Sequence, residues 1–472
     1  MSRFAGCARS RPIRRAGRRR KKTAAAVHQE VTREVQTLLQ VVFAAQRKGH
    51  GFDLEAVEMA ARAALHRAGA ALLTALLHRS GEHAAAVACA CGGQARYHDH
   101  RSKTLLTVLG PVEWKRAYYV CPRCHQGHSP QDRELDVEGQ QSSPGVRRMM
   151  ALVGSETSFD RGRGQLELLA GLEVTAKAVE RQAEAIGADI AARQQEQMHR
   201  AKQLEFPEVC APAAPVLYME MDGTGIPVVK AETEGRSGKV EGLPAHTREV
   251  KLGCVFTQTG RDKEGRPVRD AASTSYVAAI ETAEPFGLRI YTEAWRRGWS
   301  RAHKRVVIGD GAVWIWNLAD QHFPGAIQIV DLYHARQHLW ELSAKLFSGD
   351  EQTRKRWTAC CLQQLDAGKM EALVKTLGEL RPAGPELAQL VRNEADYFQR
   401  NAERMRYPAF RAQGLFVGSG VVEAGCKEVI GSRLKRSSMF WAVRGANAVL
   451  ALRCCRLSGS FEDYWSSRSA TA

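Results

Sequence analysis

Four carboxylates stand where their surroundings allow chemistry. Three short, mostly apolar runs each end at an aspartate: Val216 to Met221 before Asp222, Arg305 to Gly309 before Asp310, and Ala326 to Val330 before Asp331. Such runs read as buried strands. An acid at the end of a strand lies at the rim of an α/β sheet, where sites in these folds are built. For Asp222 alone the competing reading is a turn opener, because Gly223 and Gly225 follow it. A fourth acid, Glu423, opens a helix after the Gly418-Ser419-Gly420 turn. Clustered carboxylates repel one another unless a cation lies between them, and the hard ions Mg²⁺ and Mn²⁺ suit oxygen ligands. Two such ions ~4 Å apart can activate a water or hydroxyl and stabilise the leaving oxygen of a phosphodiester.

A second constellation uses sulfur. Cys89 and Cys91 form one knuckle and Cys121 and Cys124 another, joined by strand-like residues 105–120 with Gly110-Pro111 as the expected turn. Two knuckles on a β-hairpin describe a zinc ribbon, in which four thiolates close a tetrahedral structural site. The first knuckle is one residue shorter than usual, and His98, His100, His125 and His128 stand by as substitute ligands. The alternative is a small hairpin with reduced cysteines.

The elements that position these groups follow from pattern and composition. At 472 residues the chain is long enough for two to four domains. Its 44% hydrophobic and 25% charged content is that of a soluble protein, and no apolar run reaches the length of a membrane span. The net charge of +17 favours a polyanionic partner, most simply nucleic acid. Twelve cysteines without an apolar leader, two pairs of them adjacent (Cys360-Cys361 and Cys454-Cys455), fit a reducing cytoplasm better than a disulfide framework. There is no glycine-rich phosphate loop, which argues against an ATP-driven mechanism.

In chain order, residues 1–22 form a basic, disordered tail, with an organelle transit peptide as the competing reading. A helical hairpin is expected over 23–80, and the zinc-ribbon-like β unit over 81–143. Residues 144–205 read as a helix-turn-helix unit. Its helices run over 146–153, 164–171 and 175–186, with Thr175 as N-cap and Gly187 as C-cap. The third helix then offers Lys177, Arg181 and Gln182 to a DNA groove. An ordinary three-helix packing unit is the alternative. An α/β catalytic core follows in two parts, 216–334 and 416–472, separated by an all-helical insertion over 335–415.

With these residues in view, the segment from Leu217 to Arg453 resembles the catalytic region of bacterial insertion-sequence transposases of the DDE class, closest to the Mutator-like branch. The resemblance rests on Met221-Asp-Gly-Thr-Gly225, Val307-Ile-Gly-Asp-Gly311, Val330-Asp-Leu-Tyr-His334, Ser419-Gly-Val-Val-Glu-Ala-Gly-Cys-Lys427 and Arg433-Leu-Lys-Arg-Ser-Ser-Met-Phe-Trp441. It implies an RNase H-like mixed sheet interrupted by helices before the last acid. It assigns Asp222, Asp310 and Glu423 to hold two Mg²⁺ (or Mn²⁺), and makes Asp331 and His334 an accessory element, with Asp331 as the alternative second acid. It implies cleavage at the ends of a DNA element, freeing a 3′-OH that attacks target DNA. Lys427, Arg433, Lys435 and Arg436 would neutralise the DNA backbone, or else form a solvated basic face. Double-stranded DNA is the implied partner, and holding two ends implies a homodimer or larger. A nuclease of the same fold without strand transfer, and a DNA-binding regulator that has lost catalysis, are the rival readings.

Overall fold

The computed structural model describes residues 51–78, 83–206, 213–238 and 245–469, with scattered positions between 25 and 48. The basic tail over 1–22 and much of the first half of the helical hairpin expected over 23–80 lie outside the described residues. Among the described residues no helix is long and apolar enough to cross a membrane. The chain divides into two compact units, residues 1–153, 159–180 and 465–472 in one, and 154–158 and 181–464 in the other.

The first unit opens with α1 (Leu54–Leu77), whose first turn is capped by the Asp53 carboxylate accepting from the Ala56 N–H. An antiparallel four-stranded sheet follows: β1 (Ala86–Ala88), β2 (Gln94–Thr107), β3 (Gly110–Val120) and β4 (Gly127–His128), in chain order across the sheet. Thr107 pairs with Gly110, so the hairpin turns on Val108-Leu109 rather than on Gly110-Pro111. The Thr107 hydroxyl donates to the Gly110 carbonyl and accepts the Leu109 N–H, which fixes this tighter turn, and Gly110 supplies the positive φ of 108° that follows it. Leu105, Val112, Trp114 and Val137 bury together under the sheet.

Three further helices carry the chain onward. α2 (Pro144–Glu156) is followed by α3 (Phe159–Gln165), which a π-turn over Leu166–Ala170 continues to Gly171 in the left-handed conformation. Thr175 caps α4 (Ala176–Lys202), its hydroxyl accepting from the Ala178 N–H. Gly187 does not end this helix, which runs for 27 residues. A Cβ at Gly187 would stand 2.0 Å from the Ala448 carbonyl oxygen. The glycine lets another backbone approach and is no C-cap, which corrects the expected short third helix.

The second unit is built on a mixed five-stranded sheet. Its strands are β5 (Val216–Pro227), β6 (Thr247–Gln258), β7 (Ser275–Ala279), β8 (Lys304–Gly309) and β9 (Ile327–Val330), ordered β7-β6-β5-β8-β9. The first three form an antiparallel meander, while β8 runs parallel to both β5 and β9. The parallel strands need crossovers, supplied by α5 (Ala283–Arg296) and α6 (Val313–His322). β5 is buried from Val216 to Met221, as a central strand covered on both faces must be. It does not turn at Asp222 but stays paired with β6 as far as Pro227 opposite Thr247. Gly223 and Gly225 serve this extension, because a Cβ at either would press on the Glu249 or Thr247 side chain across the ladder.

After β9 the chain is helical: α7 (Leu332–Leu346), α8 (Glu351–Asp366), α9 (Met370–Gly378), α10 (Pro385–Arg400) and α11 (Tyr407–Ala412). It returns to the sheet in α12 (Gly420–Gly425), which runs into a π-turn over Cys426–Gly431. α13 (Val443–Leu457) follows and is buried almost throughout, from Gly445 to Cys454.

Candidate active site

The register of the parallel strands aligns the aspartates. Ile308 of β8 pairs with Glu220 of β5, and Gly309 pairs with Val330 of β9. Two residues further along β5 and β8 come Asp222 and Asp310; one residue past Val330 comes Asp331. The three acids therefore come level at one end of the sheet, Asp222 within β5 and Asp310 and Asp331 just past the ends of β8 and β9. The Asp222 carboxyl is raised above its ordinary pKa by burial and by the charge of Asp310, while hydrogen bonds from Cys426 and Gly223 and the charge of His334 oppose the rise.

Glu423 reaches this end on α12, and two hydrogen bonds tie that helix to β5. The Val422 N–H donates to Glu220 Oε2 at 2.8 Å, and the Cys426 thiol donates to Asp222 Oδ2 at 3.2 Å. Glu423 itself is exposed, with Val422 and Gly425 buried beside it. Among the described residues, Asp222, Asp310 and Glu423 are not a group whose ligand atoms all lie within 4.8 Å of one another.

Asp331 is differently employed. It is 1% exposed. Its Oδ1 accepts the N–H groups of Tyr333 and His334 and so caps α7. Its Oδ2 accepts the Ser419 N–H at 2.9 Å and the Ser419 hydroxyl. Both oxygens are thus occupied in pinning the start of α7 to the turn that precedes α12. Asp310 spends one oxygen on the Ala312 N–H, and its backbone carbonyl accepts the Tyr397 hydroxyl at 3.0 Å.

The residue behind Asp222 on the same strand face is Glu220, fully buried, with no hydrogen-bond partner for Oε1 among the described residues. Burial pushes its carboxyl up to about 8, helped by the charges of Asp331 and Glu423 and opposed by the Val422 N–H. Period-two alternation sets Glu220 beside Asp222 and could have pointed to it in the sequence. Nothing local marks Cys426, because its link to Asp222 spans 204 positions.

The basic residues expected to meet DNA separate into two kinds. Lys427 and Lys435 are exposed, and Lys435 hydrogen-bonds Thr224 on β5. Arg433 is 0% exposed; it donates to the Gly154 carbonyl at 2.9 Å and lies over the Trp441 ring. Its guanidinium belongs to the interior and does not present itself to a phosphate. Arg436 is half-buried and donates to the carbonyls of Ser432 and Glu156. On α4, Lys177 and Arg181 are exposed and Gln182 is half-buried, with Lys177 ion-paired to Glu180 at 2.6 Å.

In the first unit, Cys89, Cys91, Cys121 and Cys124 bring their four sulfurs within 4.8 Å of one another. Cys89 and Cys124 lie 3.6 Å apart, as do Cys91 and Cys121. The backbone N–H of Cys124, joined by that of Arg123, draws the Cys121 thiol down to about 6 against the effect of burial. A thiolate-forming, tetrahedral-sized set of sulfurs can hold a metal ion such as zinc. Among the described residues the expected substitutes His98, His100, His125 and His128 are outside this set, which the four cysteines make up by themselves.

Fold and site together define a mixed α/β protein with a row of carboxylates at one end of its sheet and a separate four-cysteine cluster. The chain belongs to the uncharacterised protein family UPF0236, whose model matches residues 47–465. Comparison with curated proteins gives no match. Among solved structures it is similar to the Drosophila P element transposase strand transfer complex, at 9% identity and a TM-score of 0.24, over 71% of this chain and 84% of that one. So remote a likeness carries no argument about the site.

Proposed function

We propose that the protein is a DDE-type transposase with an RNase H-like core, whose Asp222, Asp310 and Glu423 hold divalent cations, Mg²⁺ or Mn²⁺. The observation that carries this reading is the level placement of Asp222 and Asp310 on neighbouring parallel strands, with the helix of Glu423 tied to the Asp222 strand. The donor set fits such ions: hard oxygen ligands from separate elements, with Asp222 raised by burial and by Asp310 in a way that a cation relieves. When bound, the ions supply Lewis acidity for attack on a phosphodiester. Asp331 is the clamp that sets α7 against the Ser419 turn, which favours Asp310 as the second ligand.

The partner is double-stranded DNA, first the ends of the element and then its target, with two chains or more holding the two ends. Exposed Lys427 and Lys435 flank the acid row and suit phosphate contacts, with Lys177, Arg181 and Gln182 on α4 as a further DNA-facing set. The four cysteines hold a structural zinc ion in a ribbon-like unit. A strand-transfer assay tests the reading, using full-length protein, Mg²⁺, pre-cut ends of the DNA flanking the coding sequence and a plasmid target. Joined product supports it. Cleavage without joining assigns a nuclease instead, and binding without either assigns a regulator.

A further inference from the structure

Beside the acid row runs a chain of hydrogen-bonded side chains linking the insertion to the sheet. His334, in the first turn of α7, and His338, one turn further along, approach with Nε2 to Nε2 at 3.3 Å. His338 Nδ1 lies 2.8 Å from Glu394 Oε2 on α10. The ring of Tyr397, also on α10, stacks on His338 with centroids 4.2 Å apart and planes 11° from parallel, and its hydroxyl donates to the Asp310 carbonyl. His334 stands within electrostatic reach of Asp222, and its backbone N–H is held by Asp331.

These contacts decide where the protons sit. A glutamate carboxylate only accepts, so His338 carries its hydrogen on Nδ1. With the His338 ring neutral, its Nε2 keeps a lone pair and accepts the Nε2–H of His334. That leaves Nδ1 of His334 as the basic nitrogen. The stacked Tyr397 ring, locked at Asp310, keeps His338 in the plane that both bonds require.

We propose that Glu394 and His338 are positioning residues of a proton relay that acts through His334 on the acid row, and the inference rests on the transposase reading of that row. In the forward step the attacking hydroxyl gives its proton to Nδ1 of His334. The Nε2–H of His334 passes to Nε2 of His338, and the Nδ1–H of His338 passes to Glu394 Oε2. One proton enters at His334 and ends on Glu394, so the net charge of the three groups rises by one as the carboxylate becomes neutral. The reverse sequence returns a proton to the leaving 3′-oxygen. The helical insertion thereby contributes to the chemistry and not only to the shape of the unit.

Two readouts test this on the full chain. Nitrogen-15 histidine NMR of the unaltered protein reads the tautomers directly, with His334→Gln and His338→Gln used for assignment. Hydrogen on Nδ1 of His338 and on Nε2 of His334 is expected; hydrogen on Nε2 of His338 overturns the relay. The second readout is DNA cleavage by Glu394→Gln as a function of pH, with end binding measured alongside. Asp222 lies within electrostatic reach of His334, Asp331 holds its backbone N–H, and Glu394 and Tyr397 contact its partner ring His338; only Glu394 changes in this variant. Loss of that carboxylate is expected to slow cleavage ~10- to 100-fold and to move the acid limb of the rate profile to lower pH. An unchanged rate and profile overturns the proposal. Absence of cleavage by the unaltered protein overturns the transposase reading alone, and the tautomers then still decide the relay.

Discussion

Replacing Glu220 by Gln should reshape the stability of the protein against pH. Glu220 is enclosed between β5 and α12, and burial holds its proton up to about 8, against 4.5 in the open chain. Below about pH 4.5 both states carry the proton and Glu220 adds no pH dependence. Between that point and about pH 8 the unfolded chain releases the proton while the folded chain keeps it, so stability falls as pH rises. Above about 8 the folded carboxyl ionises too, and the loss levels off. A shift of this size, at about 1.4 kcal/mol per unit, amounts to roughly 5 kcal/mol across the window. Gln keeps an acceptor for the Val422 N–H and cannot ionise, so this slope disappears. Urea denaturation in EDTA, at steps from about pH 5 to pH 9, reads the difference between the two proteins. The variant should be close to the parent at the acid end and more stable by several kcal/mol at the alkaline end. Parallel curves would show that Glu220 is ionised in the folded protein and would refute the reasoning.

Asp331→Asn should cost ~1–3 kcal/mol in the same denaturation assay, because an amide replaces one of two fully used acceptor oxygens; no loss would mean the clamp is idle. Gly187→Ala should destabilise by ~1–3 kcal/mol or more, since the new methyl meets the Ala448 carbonyl, and a neutral effect on Tm would contradict the close crossing. Purified protein should carry about one zinc per chain by elemental analysis, with Cys121→Ser losing the metal and lowering Tm; a metal-free chain of unchanged Tm would remove the zinc assignment.

The strands and the acid row could be read in advance because they depend on local pattern. An apolar run ending in an acid needs only its own residues to announce a strand, and a parallel register then sets three such ends side by side. What escaped reading depends on partners far away in the chain. Gly223 and Gly225 look like a turn until Glu249 and Thr247 are found pressed against them. Gly187 looks like a helix end until the Ala448 backbone crosses it. Arg433 counts as a surface cation until Gly154 and Trp441 claim it for the interior. Asp331 and Asp310 are alike in sequence, each closing an apolar strand, and only the Ser419 turn tells them apart. The histidines of α7 carry a local clue, four residues apart on one helical face, yet Glu394 lies 56 positions beyond His338.

The most direct test of the acid site is the rate of strand transfer of a pre-cut DNA end by Asp310→Asn, set against Asp331→Asn at a temperature where both are folded. The account predicts that Asp310→Asn binds the end normally but loses at least ~10³-fold in rate, a barrier increase of about 4 kcal/mol, while Asp331→Asn retains measurable transfer. Normal transfer by Asp310→Asn, with complete loss in Asp331→Asn, would contradict it.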